Sequence, residues 1–141
     1  MPVLTDPLGW FTLRFPDGWQ QRTEDCVTML SSPHGTVFVS GGRHAGGRQA
    51  SFGGADFLAR FLRSIGLPVE EAAIQGTPGQ GCRIYQYRHE SQGRTWRYFS
   101  VTDDETALLI SYTCDAVDAG KESLQVDELI GSVRLFHSVP A

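Results

Sequence analysis

The stretch from Gly81 to Asp115 constrains the fold more than any other part of the chain. Three strand-patterned segments, Cys82–Glu90, Arg94–Val101 and Ala107–Cys114, follow one another with only Ser91-Gln92-Gly93 and Asp103-Asp104-Glu105 between them. Links this short join antiparallel neighbours only, because a parallel pair needs a crossover of a dozen or more residues. The first segment alternates, with Arg83, Tyr85, Tyr87 and His89 on one face and Cys82, Ile84 and Gln86 on the other. In the second, Trp96 and Tyr98 oppose Phe99 and Val101. The third, Ala107-Leu108-Leu109-Ile110-Ser111-Tyr112, is almost continuously apolar, which predicts a central strand covered on both faces.

The remaining elements extend or cover this meander. Phe11, Leu13 and Phe15 alternate with Thr12 and Arg14 in a first strand that Pro16-Asp17-Gly18 stops; Trp19 then returns to the core. Gln20 to Asp25 reads as a polar connection. Strands follow at 26–31 and 36–40, turned by Pro33-His34-Gly35 with His34 exposed at the tip. Phe57, Leu58, Phe61, Leu62 and Ile65 form one apolar stripe, predicting a helix over 55–65 that Gly66 terminates and Pro68 keeps from restarting. Val69 to Gln75 reads as a short edge strand. Val126, Leu129, Ile130 and Val133 recur at helical spacing in a second helix, roughly 120–133. The expected class is α+β: an antiparallel sheet of about six to seven strands with two main helices, as one domain over residues 1–141.

With 12 basic and 16 acidic residues, the net charge of −4 argues against a dedicated nucleic-acid binder, which carries a basic face. No run approaches the ~20 apolar residues of a membrane-spanning helix. The N-terminus lacks a basic n-region and a long apolar run, so the expectation is a cytoplasmic protein. Cys26, Cys82 and Cys114 show no C-x-x-C spacing and read as small buried hydrophobes, and no cofactor or metal is implied.

Four sets of residues can carry function. Glycine fills six of the fourteen positions from Gly41 to Gly54, which also hold Arg43, His44 and Arg48 and no acid; glycine-rich backbone, arginines and a following helix N-terminus suit an anion. The spacing matches neither dinucleotide nor P-loop fingerprints, so a plain surface loop is the competing reading. His89 stands at a strand end near Glu90 and Asp103 and is the candidate base of a hydrolase-like enzyme, although no catalytic signature surrounds it. Asp103, Asp104 and Glu105 gather acids in a turn without the calcium-loop pattern. Trp10, Trp19, Trp96 and Tyr98 are the aromatic residues expected to line a protein-binding groove, since such side chains dominate binding hot spots; the competing reading is a structural ladder.

The opening Phe11-x-Leu13-x-Phe15-Pro16-x-Gly18-Trp19, and the close, Ile110-x-Tyr112 followed by a helix ending Ile130-x-Ser132-x-Arg134, resemble the PsbP/Mog-type fold group, which includes DcrB-like small bacterial proteins. The resemblance implies an antiparallel sheet between helical layers and a binding or assembly role, because members are mostly not enzymes. Three readings follow. The first is a non-enzymatic protein-binding module, an adaptor, effector chaperone or immunity-type partner, with a homodimer in reach. The second is a small-molecule or anion-binding domain built on residues 41–54. The third is an enzyme using His89.

Overall fold

The computed structural model describes residues 1–25, 27–43, 55–79, 81–103 and 106–136. Its centre is a seven-stranded antiparallel sheet of β3 (Gln20–Glu24), β4 (Val27–Ser31), β5 (Gly35–Arg43), β6 (Gln75–Pro78), β7 (Arg83–Ser91), β8 (Arg94–Thr102) and β9 (Thr106–Asp115), in the order β3-β4-β5-β9-β8-β7-β6. The apolar segment is the middle strand, as its pattern predicts. A separate three-stranded sheet, β1 (Val3–Thr5), β2 (Phe11–Arg14) and β10 (Arg134–Leu135), lies over one face together with α2 (Ser123–Gly131). The other face carries α1 (Ala55–Ser64). The result is the α+β layered arrangement expected from the sequence.

Alternation assigns each strand residue to one of two cores. Ile84, Phe99, Val101, Leu108, Ile110 and Tyr112 point toward α2 and the small sheet, where they meet Leu13, Val126, Leu129 and Val133. Tyr85, Tyr87, Trp96, Tyr98 and Leu109 point the other way, against Leu58, Ala59 and Leu62 of α1. Each fully buried leucine stabilises the fold by about 1.5–3 kcal/mol relative to exposure. Helix α1 ends as its glycine predicts: the Gly66 N–H donates to the Arg63 carbonyl and the Leu67 N–H to that of Leu62, a Schellman closure.

Several expectations need correction. Residues 20–24 form an edge strand, not a connection; all five are exposed, so no buried face wrote an alternating pattern into the sequence. The strand expected at 69–75 begins later, at Gln75, because Glu71–Ala73 winds into a 3-10 turn that suits Glu and Ala better than an extended chain. The second helix is shorter than 120–133: Ala116–Asp118 is a separate 3-10 turn, and α2 starts at Ser123. Strands β1 and β10 are too short to carry a period. Of the acidic turn, Asp103 is buried, its carboxylate accepting the Thr106 N–H at 2.7 Å, while Asp104 and Glu105 lie outside the described residues.

Candidate functional site

The four aromatic candidates do not share one groove. Trp96 and Tyr98 stack on the α1 face with ring centroids 5.7 Å apart and planes 3° from parallel. Tyr98 is buried there, and burial pushes its hydroxyl pKa up. Trp19 is buried in the opposite core. Trp10 stands apart from all three, half-buried at the lip of a cleft on the α2 side. Two of the four are therefore core residues and one is half of a packed ladder; Trp10 borders one cleft, Tyr98 a smaller recess beside α1, and Trp96 a third recess shared with His89.

That cleft has a volume of about 300 Å3 and lies between the β1–β2 turn and the β3–β4–β5 corner of the large sheet. Pro7, Leu8, Trp10, Phe11 and Val39 give it apolar walls; Asp6 from the β1–β2 turn and Thr23, Asp25 and Thr28 from the β3–β4 corner add polar groups. Leu8 is 67% exposed at the rim. Gly41 belongs to the floor, where a Cβ would stand 2.8 Å from a Leu108 methyl and 3.6 Å from the Phe11 ring.

Local sequence builds the lip. Asp6-Pro7-Leu8-Gly9 has Asp first, Pro second and Gly fourth, the type I turn signature. The Gly9 N–H donates to the Asp6 carbonyl at 2.9 Å, with Gly9 at φ 75°. The Trp10 N–H donates to the Asp6 carboxylate at 3.0 Å, the Asp6 N–H to the Phe11 carbonyl at 3.0 Å, and the Phe136 N–H to the Trp10 carbonyl at 2.9 Å. The Trp10 backbone is thus held on both sides, by the Asp6 carboxylate and by the Phe136 N–H. Asp6, Leu8 and Asp25 escaped the sequence reading, although the Asp-Pro-x-Gly pattern was there to find.

A second recess, about 150 Å3, opens beside α1 and is lined by Val27, Phe38, Ser40, Leu58, Phe61 and Leu109. It continues the α1 core, and no charged group is among its described lining residues. A third, about 110 Å3, includes His89, Arg97 and Tyr112 among its walls. Here the Tyr112 hydroxyl donates to Glu122 Oε1 at 2.5 Å and Ser32 Oγ sits 2.7 Å from the same oxygen, tying the start of α2 to the β4–β5 turn. Burial, and then the Glu122 carboxylate, push the Tyr112 pKa well above the tyrosine range.

Among the described residues, His89 is not brought beside the carboxylates expected to partner it. It pairs across the sheet with Trp96, on the face opposite to Glu90. Asp103 follows seven residues beyond Trp96, roughly 23 Å along the strand. Among the described residues no carboxylate stands within ion-pair distance of His89, and no three His, Cys, Asp or Glu side chains gather as a metal site. Cys82 is half-buried, and burial raises its pKa, so it is a thiol and not a ready nucleophile at neutral pH. Arg43 closes β5 opposite Thr106; its side chain, with His44 and Arg48, lies outside the described residues.

No family model and no curated protein matches the sequence. Solved structures do match. A cyanobacterial PsbP (CyanoP) from Synechocystis sp. PCC 6803 superposes with TM-score 0.68 at 11% identity, covering 96% of this chain and 92% of that one. This chain has a PsbP-like fold. A Bacteroides thetaiotaomicron VPI-5482 protein gives TM-score 0.70 at 14% identity over 96% of this chain, which spans about half (48%) of that protein. LpqN of Mycobacterium tuberculosis, involved in cell envelope biogenesis, gives TM-score 0.56 at 12% identity, covering 90% and 83%. At these identities the PsbP-like domain is shared and residue roles are not. Among the described residues no helix is long and apolar enough to cross a membrane.

Proposed function

We propose that this PsbP-like domain is a non-catalytic binding module that holds a protein segment through the Trp10 cleft. The observation carrying this reading is a pre-built apolar cleft of about 300 Å3 with Trp10 and the exposed Leu8 at its mouth. That volume suits one or two anchor side chains of a partner better than a large cofactor. Asp6 and Asp25, one from each element that bounds the cleft, favour an anchor flanked by Arg or Lys and disfavour an anion. The adaptor, effector-chaperone or immunity role expected from the sequence is compatible with this mode.

Selection of a random peptide library against the whole chain tests it. Selected peptides should share a bulky apolar residue next to a basic one, and Trp10→Ala should weaken them about 30-fold or more, a hot-spot loss of about 2 kcal/mol. Peptides of no common chemistry, or equal binding to a folded Trp10→Ala variant, would remove the reading.

A further inference from the structure

Strand β3 ends the large sheet on one side and β6 ends it on the other. The two edges differ. Strand β6 closes with Pro78, which has no N–H to offer a neighbour. Strand β3, Gln20-Gln21-Arg22-Thr23-Glu24, has no proline, pairs with β4 along its whole length, and among the described residues has no strand on its outer side. It is the kind of edge that accepts another strand. Its charges decide which strand fits. We propose that β3 pairs antiparallel with β3 of a second copy across a two-fold axis at Thr23, joining two sheets into one.

The register follows from symmetry and charge. A two-fold axis perpendicular to the sheet keeps each residue on its own face, and directly opposed residues share a face, so the axis passes beside a residue. Centring on Arg22 or on Glu24 would set a charge against its own copy, a like-charge clash, and centring on Gln21 would set Arg22 against Gln20 and form no opposite-charge pair. Centring on Thr23 sets Arg22 against Glu24 of the second copy on both sides of the axis, and Gln21 against Asp25. Arg22 and Glu24 already pair along the strand, with side chains 69% and 53% exposed, so both are open to a second partner. Thr23 shares its face with Thr28, its hydroxyl 3.3 Å away, and both line the Trp10 cleft. The two clefts therefore adjoin across the axis. The pairing does not depend on what the cleft binds.

Sedimentation velocity of the full chain over a wide concentration range, at low salt, is the test. A reversible dimer is expected. Arg22→Glu and Glu24→Arg should each weaken it about tenfold or more, and the double swap should restore it, because the swap preserves every opposed pair. Under mild oxidation Thr23→Cys should cross-link beyond the wild-type background and Gln21→Cys should not. A monomer at all concentrations, a dimer indifferent to both single charge reversals, or cross-linking at position 21 in place of 23 overturns the proposal. Circular dichroism confirms that the exposed substitutions leave the fold intact.

Discussion

Leu108 and Leu109 are neighbours on the central strand, yet Leu108 is sealed between the sheet and its α2-side cover, whereas Leu109 is only half covered beside α1. The same contrast runs across the whole sheet. On one side α2 and the three-stranded sheet close a continuous core from Leu4 to Val133. On the other, α1 lies over β7 and β8 and leaves Val27, Met29 and Phe38 half-exposed among the described residues. The sealed side fixes the fold, and its cover, the β1–β2 hairpin, is what carries the cleft. Building the lip of the cleft onto a core-closing element keeps it rigid; the lip inherits stability from residues that must fold anyway.

The largest test of this contrast is a pair of truncations. Leu108→Ala should cost about 2–5 kcal/mol in denaturant unfolding, and Leu109→Ala well under half of that. Equal losses would break the distinction between the faces. Next comes Tyr112→Phe, which strips a hydroxyl donor from the buried Glu122 and should cost about 1–3 kcal/mol. The linked pH dependence has a definite sign. Because the folded pKa is raised, the neutral tyrosine is favoured by folding. Its contribution is complete below the ordinary tyrosine pKa of about 10 and declines as pH rises above it. Stability curves of the wild type should therefore bend downward in that alkaline range, and those of Tyr112→Phe should bend less; parallel curves would contradict the assignment.

The smallest effect is expected at Arg97, on the sealed side. Its Nη2 donates to Asp127 at 2.7 Å and its guanidinium sits 4.9 Å from the Phe99 ring centre, but Nε and Nη1 are buried without hydrogen-bond partners. Asp127 keeps a 57% exposed side chain, so it would not be stranded by losing the pair. Arg97→Met should be neutral or stabilising by up to about 1 kcal/mol, seen as an unchanged or raised Tm. A loss above about 2 kcal/mol would show that the pair contributes more than its geometry indicates.

The large features were legible because they obey a period. The meander, its central strand, the stripe of α1 and its glycine stop all follow from spacing and turn residues. Strand β3 was not legible: a fully exposed edge has no buried face to impose alternation. Strands β1 and β10 are too short for any pattern, and are fixed by long-range pairing with β2. For the site, composition singled out Trp10, which lines the cleft of the proposed function, along with three aromatic residues that do not. It could not tell that Trp19 and Tyr98 are buried, because an aromatic in a core and one at a lip look alike in sequence. The informative signal was the Asp-Pro-x-Gly turn ahead of Trp10, which fixes that side chain at a surface loop.

The most direct measurement compares one variant from each face. A peptide selected on the wild-type chain is titrated calorimetrically into Trp10→Ala and Phe38→Ala. Affinity should fall about 30-fold or more in the first and stay within about threefold of wild type in the second. The reverse pattern, Phe38→Ala losing the peptide while Trp10→Ala keeps it, would move the binding site to the α1 face and contradict the account.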